Sequence, residues 1–295
     1  MSSIFVSASA ETTLHARITR PTTNTKKPLL VFLHYWGGSS STWYKVLAPD
    51  SPSSISSHYP TVAVDLRGWG KSTGPTEDTG RSYSPTTMAS DLEILLSSLK
   101  NDTENSDLLA HGFVLVGHSM GAKVALASLS VPSEDVLAEL KGLVFVAPAP
   151  PTALILPQEM KDQQNVAYQS EDSVRWTVTN VLANPEHLNN EDLELVVRDS
   201  LSGHNLAKTA WPGYGMEEDI TQSVKTALAS VPKGIQARVI VGELDVVEPR
   251  ERVESEIGRL LKGFGVEVVV RTVPGVRHLI PLESPDVVAE EISHF

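Results

Sequence analysis

The chain has 295 residues, with 24 Lys and Arg against 36 Asp and Glu and a formal net charge of −12. That acidic balance argues against a nucleic-acid-binding surface, while 41 % apolar and 20 % charged residues suit a folded globular chain with a sizeable core. The absence of cysteine excludes disulfides, thiolate metal sites and a cysteine nucleophile, and fits a reducing, cytoplasmic compartment. The opening residues, MSSIFVSASAETTLHARITRP, lack the basic start and apolar stretch of a secretory signal. No apolar run approaches the roughly 18 residues that span a membrane.

In chain order, short apolar runs rich in β-branched residues predict strands at LLVFLH (29–34), TVAVD (61–65), FVLVG (113–117), GLVFVA (142–147), ARVIVG (237–242) and VEVVVRTV (266–273). Segments of helical spacing lie between them, among them Val253, Ile257, Leu260, Leu261 and Phe264 after Pro249, and a last helix opening at Ser284-Pro285-Asp286. Near-continuous apolar strands alternating with helices predict an α/β fold on a mostly parallel central sheet, flanked by helices. The Ser- and Pro-rich stretches 50–60 and 75–85 read as surface loops. From Pro148 to Pro232 the rhythm breaks, and helical patterns at Val174 to Leu182, Asp192 to Leu201 and Ile220 to Val231 replace the strands. Structureless loops of that length are uncommon in compact domains. Residues 148–216 therefore read as a helical lid inserted into a core made of 1–147 and 217–295.

Between a predicted strand and an Ala- and Leu-rich helix stands Gly117-His118-Ser119-Met120-Gly121, a G-x-S-x-G sequence in the setting its chemistry requires. A strand turning straight into a helix strains the central residue, and side chains at the flanking glycines would clash. The pattern alone arises by chance in roughly one chain in ten, so the flanking elements carry the reading. Ser119 is then the candidate nucleophile, at the carboxyl end of its strand. A serine needs a base, and the base needs a group that holds its tautomer. His278, after the last long strand, and Asp245, after ARVIVG, follow in the order Ser, Asp, His. Glu243 and Glu248 can reach the same sheet edge and compete with Asp245, their alternative being a solvated surface charge. Gly70-Lys71-Ser72 resembles the end of a phosphate loop, but Asp65 occupies the position of its first glycine. No H-E-x-x-H or other metal-ligand spacing occurs among the nine histidines.

Four motifs in order, HYWGGS at 34–39, DLRGWGKS at 65–72, GHSMG at 117–121, and the pair GELD at 242–245 and GVRH at 275–278, make the chain resemble the α/β-hydrolase family over roughly 28–148 and 235–290. The likeness is to its lidded branch of esterases, cofactor-free haloperoxidases and epoxide-hydrolase-like proteins. It implies that Asp245, in the family's G-x-x-D turn, is the acid. It also implies that Asp65 to Ser72 is a structural turn near the oxyanion loop. The Met120 N–H would supply one oxyanion donor, and the loop after LLVFLH the other. Where the family reads His-Gly-x, this chain has His34-Tyr35-Trp36, which makes Trp36 the preferred donor and leaves Gly37 open if the loop shifts by one.

Tyr35 and His118 are expected to line the site or pack against it, and Trp176, Trp211 and Tyr214 to give an aromatic-lined pocket. The expected activity is a cofactor-independent serine hydrolase, without a metal, acting on a carboxylic ester or lactone of a small, largely apolar molecule. Carbon-carbon bond hydrolysis or haloperoxidase-like perhydrolysis by the same residues, and a slow-turnover ligand receptor, are the alternatives. Serine at position 119, where epoxide hydrolases of this fold carry an aspartate, disfavours epoxide opening. The small-molecule substrate is the only partner implied, and no residue pattern specifies an oligomeric state.

Overall fold

The computed structural model describes residues 2–22, 25–131 and 134–295. In it, strands β1 (Ser2–Ser7), β2 (Thr13–Thr19), β3 (Leu29–Leu33), β4 (Thr61–Val64), β5 (Phe113–His118), β6 (Leu140–Val146), β7 (Gln236–Gly242) and β8 (Glu267–Val273) form one sheet. Its order is β1-β2-β4-β3-β5-β6-β7-β8. The six predicted strands are β3 to β8, and all pair in parallel. The antiparallel pair β1 and β2 is an addition, formed by residues for which the sequence reading assigned no element. β1 alternates exposed and half-buried residues, and the mostly buried β2 mixes His15, Arg17 and two threonines into its apolar residues, so each gives a weaker signal than a near-continuous apolar run.

Successive side chains of β3 enter opposite layers, as the two-residue strand period demands. Val31 and Leu33 join Leu92, Leu95 and Val124 on one face, and Leu30 and Phe32 join Trp43 and Val288 on the other. The first layer is closed by helices Pro85–Asn101 and Met120–Ser128, the second by Pro285–Ile292. Ser84 opens the first of these helices, its hydroxyl accepting the Thr87 N–H and Pro85 filling the first turn.

Parallel strands release their chain at one edge, the usual place for a ligand in such sheets. His34, Ser119, Asp245 and His278 all follow a strand at that edge. Between β6 and β7 the described chain is helical, with helices Gln158–Val166, Glu171–Thr177, Asn190–Ser202 and Asn205–Ala210, then Thr221–Leu228. The two ends of this insertion are stitched together, Leu154 N–H to the Met216 carbonyl and Ile220 N–H to the Pro151 carbonyl, each at 2.9 Å.

Candidate active site

Ser119 sits between β5 and helix Met120–Ser128 with φ 52° and ψ −116°, a conformation that costs a non-glycine residue about 1–3 kcal/mol. The neighbouring glycines make the turn feasible. A Cβ on Gly121 would lie 2.3 Å from the Leu33 carbonyl oxygen, and one on Gly117 would lie 2.6 Å from the Ala122 Cα. Met120 opens the helix, so its N–H is one of those without an intrahelical acceptor. That donor stands directly beside the serine.

Asp245 and His278 meet in the buried sheet edge, with Oδ2 2.8 Å from Nδ1. The other carboxylate oxygen accepts the N–H groups of Val247, at 2.8 Å, and Glu248, at 3.1 Å. With Nδ1–H donating to Asp245, Nε2 of a neutral His278 is left as an acceptor. Burial alone would push this imidazole down, but the Asp245 charge and hydrogen bond outweigh it, with Glu248 and Glu283 adding, and hold His278 above the ordinary histidine range. Burial likewise would raise Asp245, yet His278 and the two backbone N–H groups hold it below the ordinary carboxylate range. Two further contacts fix the histidine's backbone. The Leu182 carbonyl accepts the N–H groups of His278 and Leu279 at 2.9 and 3.0 Å, and His118 Nε2–H donates to the His278 carbonyl at 2.8 Å.

Neither competing glutamate is hydrogen-bonded to His278. Glu243 is exposed and accepts the Gly275 N–H at 2.8 Å, shaping the turn before His278. Glu248, expected as a solvated charge if not the acid, is instead buried. Its turn folds it into a crevice shared with Lys123, Ala149 and Arg252, where burial pushes its carboxyl up to about 8 against the pull of Arg252.

His34 bridges two loops. Its Nδ1–H donates to the Tyr35 carbonyl at 2.7 Å, and its Nε2 accepts the Leu66 N–H at 3.0 Å. Burial lowers it to about 4, so it stays neutral in both roles at pH 7. Beyond it, Tyr35 and Trp36 join Ser119 and His278 in lining a cavity of about 240 Å³. Apolar walls come from Met160, Ala167, Val181, Leu182 and Val247. Among the described residues that line it, none is Lys, Arg, Asp or Glu.

Of the expected lining residues, Trp211 is half-buried in the wall and Trp176 is 59 % exposed, so it contributes at the mouth. Two readings need correction. His118 does not line the cavity and so is not placed to bind substrate; it is fully buried and packs on His278, rings 5.3 Å apart, the other of its two expected roles. Tyr214 instead ties the insertion to the 75–85 loop, donating to the Asp78 carboxylate and accepting the Tyr83 N–H. Residues without a sequence signal also meet here. The Tyr168 hydroxyl donates to the Trp36 carbonyl, and that of Ser200 to the Gly37 carbonyl, both at 2.9 Å. Among the described residues, no group of three or more His, Asp or Glu is arranged to hold a metal ion, and no helix is long and apolar enough to cross a membrane.

A strained serine, a helix N-terminus beside it and a buried imidazole–carboxylate pair opening on one apolar cavity form an arrangement suited to acyl transfer. Comparison with known proteins agrees with the fold. A probable lysophospholipase of Arabidopsis thaliana, BODYGUARD 1, is 33 % identical over 141 residues, which is 48 % of this chain and 27 % of that relative. The match thus spans about a quarter of the relative's length. The crystal structure of a bromoperoxidase from Bacillus anthracis superposes with a TM-score of 0.75 at 17 % identity, covering 99 % of both chains. A thermophilic esterase from Thermogutta terrifontis does so with a TM-score of 0.72 at 20 % identity, covering 100 % of this chain and 97 % of that one. The model of the alpha/beta hydrolase family matches residues 30–291, nearly the whole chain, and the chain belongs to that family.

Proposed function

We propose that this chain is a serine hydrolase that cleaves a carboxylic ester or lactone of a small, largely apolar molecule through an acyl-enzyme, using its own residues and no cofactor. The observation that carries the reading is the convergence of Ser119 and the Asp245-bonded His278 on one cavity without charged walls. Ser119 Oγ attacks the carbonyl carbon, and His278 Nε2 takes its proton. Asp245 holds the tautomer and stabilises the imidazolium that forms. The N–H groups of Met120 and Trp36 receive the oxyanion, Gly37 being the alternative to Trp36. His278 then returns the proton to the leaving alkoxide. Water, activated by the same imidazole, releases the acid. Residues 148–216 act as the lid that walls the acyl pocket and keeps water from it. Esterase and lysophospholipase relatives accord with an ester substrate, and the uncharged walls favour a neutral one.

Labelling with a fluorophosphonate, which reacts with activated serines, followed by peptide mapping tests the reading. Label is expected on Ser119 alone and absent from Ser119→Ala, with hydrolysis of a short-chain 4-nitrophenyl ester falling by roughly 10⁴-fold or more. Equal labelling of wild type and Ser119→Ala would overturn it.

A further inference from the structure

The loop that carries both candidates for the second oxyanion donor is held largely from the lid. Its three successive peptide groups, 35–36, 36–37 and 37–38, each have an occupied carbonyl. The Tyr35 carbonyl accepts from His34 Nδ1 at 2.7 Å and from Gly38 N–H at 3.1 Å. The Trp36 carbonyl accepts from the Tyr168 hydroxyl, and the Gly37 carbonyl from the Ser200 hydroxyl, each at 2.9 Å. Both hydroxyls belong to the insertion. So do two further partners of this loop, the Lys208 carbonyl that accepts Trp36 Nε1–H at 3.0 Å and the Asp199 carboxylate that accepts the Ser39 hydroxyl at 2.5 Å.

A trans peptide is planar, with N–H and C=O pointing in opposite directions, so a bond to the carbonyl aims the N–H. Tyr168 therefore aims the Gly37 N–H. Ser200 aims the Gly38 N–H, which bonds the Tyr35 carbonyl and so helps to aim the Trp36 N–H. The loop could not hold this shape by local preference alone, because Gly37 adopts φ 101° and Gly37-Gly38 leaves the backbone many alternatives. Ser200 is fully buried, which leaves no bulk water to replace its hydroxyl.

Resting on the proposed serine-hydrolase reading, we infer that Ser200 and Tyr168 are positioning residues through which the lid sets the second oxyanion N–H. The lid thereby acts on the rate of acyl transfer as well as on access. A displacement of the order of 1 Å can cost roughly 10²-fold in rate, so the effect falls on the chemical step. The two hydroxyls also separate the two donors. Ser200→Ala is the more damaging if Trp36 supplies the N–H, and Tyr168→Phe if Gly37 does.

The test measures kcat and KM on 4-nitrophenyl butyrate together with the rate and final stoichiometry of fluorophosphonate labelling. It uses the full chain as wild type, Ser200→Ala, Ser200→Thr, Tyr168→Phe and Ser119→Ala. At least one of Ser200→Ala and Tyr168→Phe is expected to lower kcat and the labelling rate by roughly tenfold or more, with KM within about twofold and labelling still complete at its endpoint. If Ser200→Ala is the affected variant, Ser200→Thr, which keeps the hydroxyl, should recover most of the rate. Wild-type rates in both hydroxyl deletions would overturn the inference. So would a loss that appears only as a smaller labelled fraction, which marks unfolding. Labelling of Ser119→Ala at the wild-type level would instead bring down the proposed function itself.

Discussion

Asp245 and Glu248 stand three positions apart, both buried, and only Asp245 bonds His278. The chemistry separates them as well. Asp245 is held below the ordinary carboxylate range and bonds the imidazole, whereas burial pushes Glu248 up to about 8 and its carboxylate faces Arg252, at 3.2 Å, rather than bonding His278. Asp245→Asn should therefore lower kcat by roughly 10⁴-fold, as loss of the carboxylate partner does in such a relay, and Glu248→Gln by no more than a few-fold. Equal losses in the two variants would count against Asp245 as the acid. The base must be neutral to accept a proton, and the folded protein holds His278 above the ordinary value of about 6.5. With His278 as the proposed base, activity should therefore fall as pH drops through that raised value. The acid limb of kcat/KM against pH should have its midpoint above about 6.5, and a midpoint below it would contradict the role of Asp245.

At the scale of elements, the helical insertion between β6 and β7, the proposed lid, is anchored by an unusual cation. Lys123, on the helix that follows Ser119, is 1 % exposed, and its ammonium donates to the Thr152 carbonyl at 3.2 Å and the Met216 carbonyl at 3.1 Å. These residues lie at the two roots of the insertion. Burial lowers this ammonium to about 8, so it is still mostly charged at pH 7. Lys123→Met should remove both bonds and loosen the roots, since charge-assisted hydrogen bonds are worth about 1.5–3 kcal/mol. Amide exchange at Leu154 and Ile220 should then quicken by roughly tenfold or more, and unchanged exchange at both would show that the roots do not depend on Lys123. The same scale explains what was legible in the sequence. Strands β3 to β8 announce themselves because burial on both faces leaves little but apolar residues, and Ser119 because its turn demands glycines at 117 and 121. Asp245 and His278 could be placed near one another because they follow strands at the same edge, and they bond there. The antiparallel edge strand β1 gives only SSIFVS, with exposed and half-buried residues alternating, too short a pattern to stand out. Tyr168, Asp199, Ser200 and Lys208 left no mark because their contacts reach the loop after β3 across 132 to 172 residues. Nothing local in a helix or a turn encodes such a partner.

At the scale of the whole molecule, Asp65 joins three parts of the fold. It accepts from His15 on β2 at 2.7 Å, from the Ser40 N–H beyond the loop after β3 at 2.6 Å, and from the Lys71 N–H at 2.9 Å. Burial would raise this carboxyl, but the hydrogen bonds outweigh it and take it down to about 2 from 3.8. A carboxyl depressed by folding adds stability that is fully present above its unfolded value and lost as pH falls through its folded one. Asp65 should therefore contribute roughly 2 kcal/mol above about pH 5, with about 1 kcal/mol of it gone by pH 3. Repulsion opposes this trend at first, because a net charge of −12 weakens as the exposed carboxylates take up protons. Salt separates the two effects, since it screens surface repulsion and reaches a buried bonded carboxylate far less. In urea unfolding at pH 5, 4 and 3, at low and high salt, Asp65→Asn should be less stable than wild type at pH 5, and the gap should narrow by about 1 kcal/mol at pH 3 at either salt concentration. A gap that stays constant with pH would mean that Asp65 titrates alike in the folded and unfolded chains, and that acid sensitivity arises from the surface instead.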